Sequence, residues 1–200
     1  MNKKEQTIES YNRNARAHAK KFDDLGAGIR RGDVEETFVL VKKSNPYVLE
    51  IGCGSGRDAV EITKHTNNYL GIDISEKLIE LARQKLPKSQ FRVADIEDYD
   101  FPKNIDIIFA FASLIHVPKE SLRRILDKAH SALNNSGVVR LSMKYSDYYR
   151  ELIRNDEFGT RAYYLYSRND IEELSDSFEI IKKDVIDLRG QKWLEIILKK

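Results

Sequence analysis

The chain is poor in several things, and each scarcity excludes something. It holds a single cysteine, Cys53, in 200 residues, so no internal disulfide can form. No stretch approaches the ~18 consecutive apolar residues that a membrane span requires. Charge of one sign is also lacking. The 34 lysines and arginines nearly balance 32 acidic residues, for a net charge of +2. That balance disfavours a nucleic-acid partner and a disordered chain. No internal repeat, low-complexity segment or linker interrupts it. No His, Cys, Asp or Glu cluster has metal-ligand spacing, so no metal is expected. The opening residues Met-Asn-Lys-Lys-Glu-Gln carry no apolar segment behind the lysines. The expectation is therefore no cleaved secretion signal and a cytoplasmic protein.

What is present suits one core. Hydrophobic residues make up 41% of the chain, and its length fits one domain over 1–200. Residues 5–22 carry Ile8, Tyr11, Ala15, Ala19 and Phe22 at helical spacing, which predicts an amphipathic helix. A loop over 23–32, rich in glycine, precedes a second helix over 33–43. Strands and helices then alternate. Strands are expected at 47–51, 69–74, 91–94, 105–111 and 138–143, and helices at 57–65, 76–86 and 119–133. Asn134-Asn135-Ser136-Gly137 reads as a helix stop. Ser167 caps a short helix, and 178–188 with 193–198 form a closing hairpin. The expected fold is a Rossmann-like, mostly parallel seven-stranded sheet with helices on both faces and a C-terminal antiparallel hairpin.

The stretch Tyr47-Val-Leu-Glu-Ile-Gly-Cys-Gly-Ser-Gly-Arg57 joins the first strand to a helix through Gly52, Gly54 and Gly56. Such a turn cradles a nucleotide, because glycine reaches positive φ cheaply and lets a ligand touch the backbone. A Walker loop needs a Gly-Lys-Ser/Thr ending, which is missing. A nicotinamide site wants Gly-x-Gly-x-x-Gly, and here the spacing is Gly-x-Gly-x-Gly.

At these residues the chain resembles the class I S-adenosylmethionine-dependent methyltransferases. Glu50-Ile-Gly-Cys-Gly-Ser-Gly56 is similar to their first motif, Gly71-Ile-Asp73-Ile-Ser75 to their second, Val93-Ala-Asp95-Ile96 to their third and Asp106 to His116 to their fourth. The resemblance implies that S-adenosyl-L-methionine is bound and leaves as S-adenosyl-L-homocysteine. It places Asp73, with Ile74 beside it, at the donor's ribose, and Asp95 with the Ile96 backbone at the adenine. The turn Gly52-Cys53-Gly54, with Gly56, should pack on the methionine end, and Glu50 should lie beneath it. Ala110 and Phe111 should end the fourth strand near the methyl group, or simply be core. Cys53 reads as a small structural residue within the turn. Tyr11, in Tyr-Asn-Arg-Asn-Ala, resembles a lid tyrosine that closes over the donor.

The acceptor is less legible. Residues 1–45 form an expected helical lid bearing Arg30 and Arg31. Residues 144–167 form an expected substrate-covering insertion with six of the chain's ten tyrosines, among them Tyr145, Tyr148, Tyr149, Tyr163 and Tyr164, interleaved with Arg150, Arg154 and Arg161. Tyrosines offer an apolar wall with polar tips and arginines fork an anion. A small-molecule acceptor, anionic or aromatic, is expected. His116 is the candidate general base, set against a structural histidine bonded to a carbonyl. The alternatives are an RNA or protein methyltransferase, a donor-binding protein without transfer activity and, weaker, a nicotinamide oxidoreductase.

Overall fold

The structure is a computed structural model that describes residues 1–24, 27–188 and 190–200, with the Ala27 side chain also outside the described set. Helices α1 (Lys3–Arg13), α2 (Ala15–Asp23) and α3 (Arg31–Val41) precede strand β1 (Val48–Ile51). Then come α4 (Ala59–Ile62), β2 (Tyr69–Asp73), α5 (Glu76–Lys85), β3 (Gln90–Val93), β4 (Ile105–Phe111), α6 (Lys119–Ala132) and β5 (Leu133–Lys144). The chain closes with β6 (Arg150–Asp156), β7 (Gly159–Leu165), α7 (Arg168–Leu174), β8 (Glu179–Leu188) and β9 (Gln191–Lys199). A seven-stranded sheet runs β3-β2-β1-β4-β5-β9-β8, with β6 and β7 forming a separate two-stranded sheet. The first five strands pair in parallel, while β9 runs antiparallel to both β5 and β8. No helix among the described residues is long and apolar enough to cross a membrane.

Apolar runs explain the centre. All of β1 and β4 is buried, as strands covered on both faces must be. One face packs against α6 and α7, through Leu122, Ile125, Leu126 and Ile171. The other packs Val34, Ile62, Ile79 and Phe109. Strand order reverses between β1 and β4, so the loops after these strands diverge and leave a crevice.

Several elements differ from expectation. The helix expected over 5–22 breaks in two at Asn14. Its Nδ2 donates to the Ser10 carbonyl at 3.1 Å and to the Phe158 carbonyl at 2.9 Å, a side-chain bond that competes with helix propagation. The loop expected over 23–32 includes residues 25 and 26, outside the described set. Its far end is a 3-10 turn, Ala27–Arg30, and α3 starts at Arg31. The helix expected over 57–65 shortens to Ala59–Ile62. Helix α6 does stop just before Asn134–Gly137, ending at Ala132 with Leu133 as its C-cap, but the strand that follows starts earlier than 138, because Leu133 already pairs with Ile105 before a register shift, and Ser136 turns with a φ of +65°.

The largest difference lies in 144–167, where β6 and β7 form a hairpin. Strand β6 is exposed almost throughout, so it carries no alternating pattern to reveal it. Helix α1 seals the outer edge of β7. Thr7 Oγ1 accepts from the Ala162 amide at 3.1 Å, Ser10 Oγ donates to the Thr160 carbonyl at 2.9 Å, and Asn14 reaches Phe158. Spacings of three and four on the helix thus match alternate residues on the strand. The approach is close: a Cβ on Gly159, whose φ is +96°, would lie 2.6 Å from Ser10 Oγ.

Candidate functional site

The crevice is built around the glycine turn. Gly52 and Gly54 have φ of +72° and +54°. A Cβ on Gly52 would lie 2.2 Å from Ser113 Cβ, whereas a Cβ on Gly54 would meet nothing within 4 Å. Gly52 thus lets the β1 and β4 loops touch, and Gly54 leaves bare backbone beside open space. Gly56 and Cys53 turn the other way. A Cβ on Gly56 would lie 3.4 Å from Ala82. Cys53 is buried in the core, which pushes its thiol up and leaves it unreactive. Ser113 Oγ is buried without a hydrogen-bond partner among the described residues.

Asp73 ends β2 beside this turn. Its Oδ2 accepts from the Gly54 amide at 2.9 Å and its Oδ1 from the Ser75 amide at 2.8 Å. Burial raises its pKa while these amides oppose the rise. Each oxygen keeps a lone pair for a further donor. Ile74 lies beside it, half-buried. Glu50 is placed differently from a turn-facing role. It is buried and accepts from the Tyr69 hydroxyl. Burial, and then the nearby Asp58, push it up to about 8, so it is largely neutral at pH 7. Asp95 accepts from the Glu97 amide at 3.1 Å and pairs with Lys4 of α1. Ile96 is half-buried beside it. Ala110 and Phe111 are core. Phe111 stacks on Phe109 with ring centroids 5.2 Å apart and is covered by the Arg30 guanidinium at 4.7 Å.

The helical N-terminus and the hairpin meet over this crevice. His116 Nδ1 lies 2.6 Å from the Ala162 carbonyl and its Nε2 lies 2.8 Å from the Tyr11 hydroxyl. A carbonyl only accepts, so Nδ1 carries the proton and Nε2 accepts from Tyr11. Burial, opposed by the Ala162 carbonyl and helped by the neighbouring Arg161 and Lys144, lowers His116 to about 4. With both nitrogens engaged, His116 is a bracket between α1 and β7, not a free base. Burial also raises the Tyr11 hydroxyl. Tyr11, Asp73 and His116 lie deep in the protein yet retain accessible surface, as groups bordering a narrow cleft do.

The expected acceptor residues divide. Tyr163 is buried, packs on His116 with centroids 4.7 Å apart, and faces the cleft cluster. Tyr149 and Tyr164 stack on the other side of the hairpin at 6.2 Å. They help line a cavity of about 730 Å³, while a second of about 520 Å³ reaches His116 beside Thr7. Neither is lined by the glycine turn. Tyr145 bonds Asp147 at 2.7 Å, and Tyr148 is exposed. Arg30 is committed to Asp33 at 3.0 Å, Glu195 at 3.2 Å and Ser142 at 3.1 Å. Arg31 lies 3.6 Å from Glu61. Arg30 is thus held by its neighbours, whereas the Arg31 side chain remains largely exposed. Sequence reasoning missed Ser113 and Lys144, although both sit just past apolar strands, where loops border the crevice. Arg161 was visible among the tyrosines, but nothing in its spacing marked it apart from Arg150.

Fold and crevice define an α/β domain of the nucleotide-binding type, with its site at the β1–β4 switch point. Residues 48–137 match the methyltransferase domain family. The chain is 31% identical over 147 residues to malonyl-[acyl-carrier protein] O-methyltransferase 1 of Ilyobacter polytropus, covering 70% of this chain and 54% of that one. It is 34% identical over 99 residues to trans-aconitate 2-methyltransferase of Escherichia coli, covering 48% of this chain and 38% of that one. The chain thus spans about half or less of the length of these relatives. Its fold superposes on magnesium protoporphyrin IX methyltransferase of Synechocystis with bound S-adenosylmethionine. The TM-score is 0.76, over 100% of this chain and 98% of that one, at 17% identity; at that identity the likeness is one of fold. Residues 48–137 are thus similar in sequence to methyltransferase domains, and the chain shares the fold of a methyltransferase that binds S-adenosylmethionine.

Proposed function

We propose that the chain binds S-adenosyl-L-methionine in the β1–β4 crevice and transfers its methyl group to a small-molecule acceptor. The observation that carries this reading is the pairing of Gly54 and Asp73. Backbone with room beyond its missing Cβ lies hydrogen-bonded to a carboxylate that keeps a lone pair on each oxygen. A ribose with two adjacent hydroxyls fits such a carboxylate. Asp95 and Ile96 would border the adenine, and the orphaned Ser113 hydroxyl would meet the donor's polar end. The donor, when bound, supplies an already activated methyl on a sulfonium.

The remaining work falls to positioning. Holding acceptor and methyl in line supplies roughly 7–11 kcal/mol of barrier reduction. Tyr11 and the 144–167 hairpin cover the crevice in this reading, and His116 fixes them against each other rather than removing a proton. The names of two relatives contain acids, malonyl and trans-aconitate, which supports an acidic small acceptor. The test is incubation of the protein with labelled S-adenosylmethionine and pools of small carboxylic acids, amines and phenols. Label in a small product, lost with Asp73→Ala, is the expected result. Label appearing only in RNA or protein would reverse the choice of acceptor.

A further inference from the structure

We propose that Lys144, Arg161 and the Tyr163 ring form a carboxylate-binding subsite for the methyl acceptor. This rests on the methyltransferase reading and narrows its substrate class. Lys144 ends β5 at the crevice and is only 7% exposed. Its ammonium lies 4.3 Å from the Tyr163 ring centroid and 5.9 Å from that of Trp193. Among the described residues no carboxylate comes within ion-pairing distance of it. A nearly buried lysine whose ammonium meets only rings has given up much of its water without gaining a counter-charge.

Arg161 is only partly satisfied. It is 4% exposed, and its Nη2 bonds both oxygens of Asp156 at 2.6 Å. Its Nε is buried with no hydrogen-bond partner among the described residues. Arg161 also lies directly opposite Arg154 in the β6–β7 register, and like charges facing across a strand pair destabilise it. The groups facing Lys144 are Arg154 and Asp156 from β6, Arg161 and Tyr163 from β7, and Trp193 from β9. Cations exceed carboxylates there by three to one. Burial, and then Arg154 and Arg161, lower Lys144 to about 8, as expected for a cation awaiting an anion.

The subsite also touches the reacting region. The Arg161 guanidinium lies 5.6 Å from the Tyr11 ring and 5.7 Å from the Tyr163 ring. Tyr163 packs on His116, which holds Tyr11 over the crevice. One lysine ammonium and one free guanidinium N–H suit the two oxygens of a carboxylate. The same chemistry could come from the donor's own carboxylate or from a phosphate, so the test separates these sources.

The experiment is calorimetry on protein saturated with S-adenosylhomocysteine, titrated with malonate, succinate, citrate and trans-aconitate. Their methyl esters and inorganic phosphate serve as comparisons. At least one carboxylate should bind, with its ester at least tenfold weaker. Lys144→Met should weaken that binding at least tenfold, and Lys144→Arg should restore most of it. Affinity for S-adenosylhomocysteine should change less than threefold in both variants, with thermal unfolding confirming that each folds. The proposal fails if no carboxylate binds, if phosphate binds more tightly, or if Lys144→Met weakens S-adenosylhomocysteine instead. Failure of S-adenosylhomocysteine to bind the wild-type protein would instead remove the methyltransferase reading itself.

Discussion

Two alanine substitutions two positions apart should have different consequences. Gly52 and Gly54 both adopt left-handed backbone, with φ of +72° and +54°, which costs an alanine about 1–2 kcal/mol. Their surroundings differ. At Gly52 the new methyl would lie 2.2 Å from Ser113 Cβ, so the β1 or β4 loop must move, for a further ~1–3 kcal/mol of overpacking. At Gly54 it would meet nothing within 4 Å. Gly54→Ala should therefore lower stability by about 1–2 kcal/mol and Gly52→Ala by about 2–5 kcal/mol. For a chain of this size these are drops of roughly 2–8 °C and 4–20 °C in Tm. Ligand binding should separate them further. The Gly54 methyl would occupy space the donor needs. An overpacking cost of that size weakens S-adenosylhomocysteine roughly 5- to 150-fold in a protein that still folds. Thermal unfolding and calorimetry on both variants measure the two effects. Equal loss of stability, or wild-type affinity in Gly54→Ala, would refute the assignment of open space to the donor.

Other expectations follow from the same geometry. Asp73→Asn keeps the size but removes the charge that accepts two amides and would accept ribose hydroxyls; losing a charged hydrogen bond of about 1.5–3 kcal/mol should weaken S-adenosylhomocysteine roughly 10- to 150-fold by calorimetry. Glu50, normally near 4.5, is raised to about 8, so the native state holds a proton that the unfolded state releases. Its stabilising contribution is complete below about 4.5 and is lost as pH rises through about 8. Between those limits, urea unfolding of Glu50→Gln should lack a decline of up to ~1.4 kcal/mol per pH unit that wild type shows; identical slopes would place the proton elsewhere. Tyr11→Phe removes the donor to His116 Nε2. Donor affinity should fall severalfold, and the imidazole should titrate at higher pH by NMR because its lone pair is released to solvent.

The parts of this protein that were legible in sequence are those where one physical demand dominates. Strands β1 and β4 are buried on both faces, and their unbroken apolar runs announce them. The glycine spacing and Asp73 were legible because backbone geometry and a strand end fix both. Strand β6 was not legible, since Arg150–Asp156 is exposed and its pairing depends on β7. Nor was the commitment of Arg30, because its partners Ser142 and Glu195 lie over a hundred residues away in sequence. The α1–β7 docking likewise depends on Thr7, Ser10 and Asn14, residues that read locally as an ordinary polar helix face. Lys144 carried no mark of its own at the start of the 144–167 insertion; only its rings and the lack of a carboxylate among the described residues distinguish it.

The central claim is that the β1–β4 crevice holds S-adenosylmethionine rather than another nucleotide. Calorimetry of the purified chain with S-adenosylhomocysteine and, separately, with NAD tests it most directly. Saturable one-to-one binding of S-adenosylhomocysteine, with no heat from NAD, is the predicted result. Binding of NAD without binding of S-adenosylhomocysteine would contradict it.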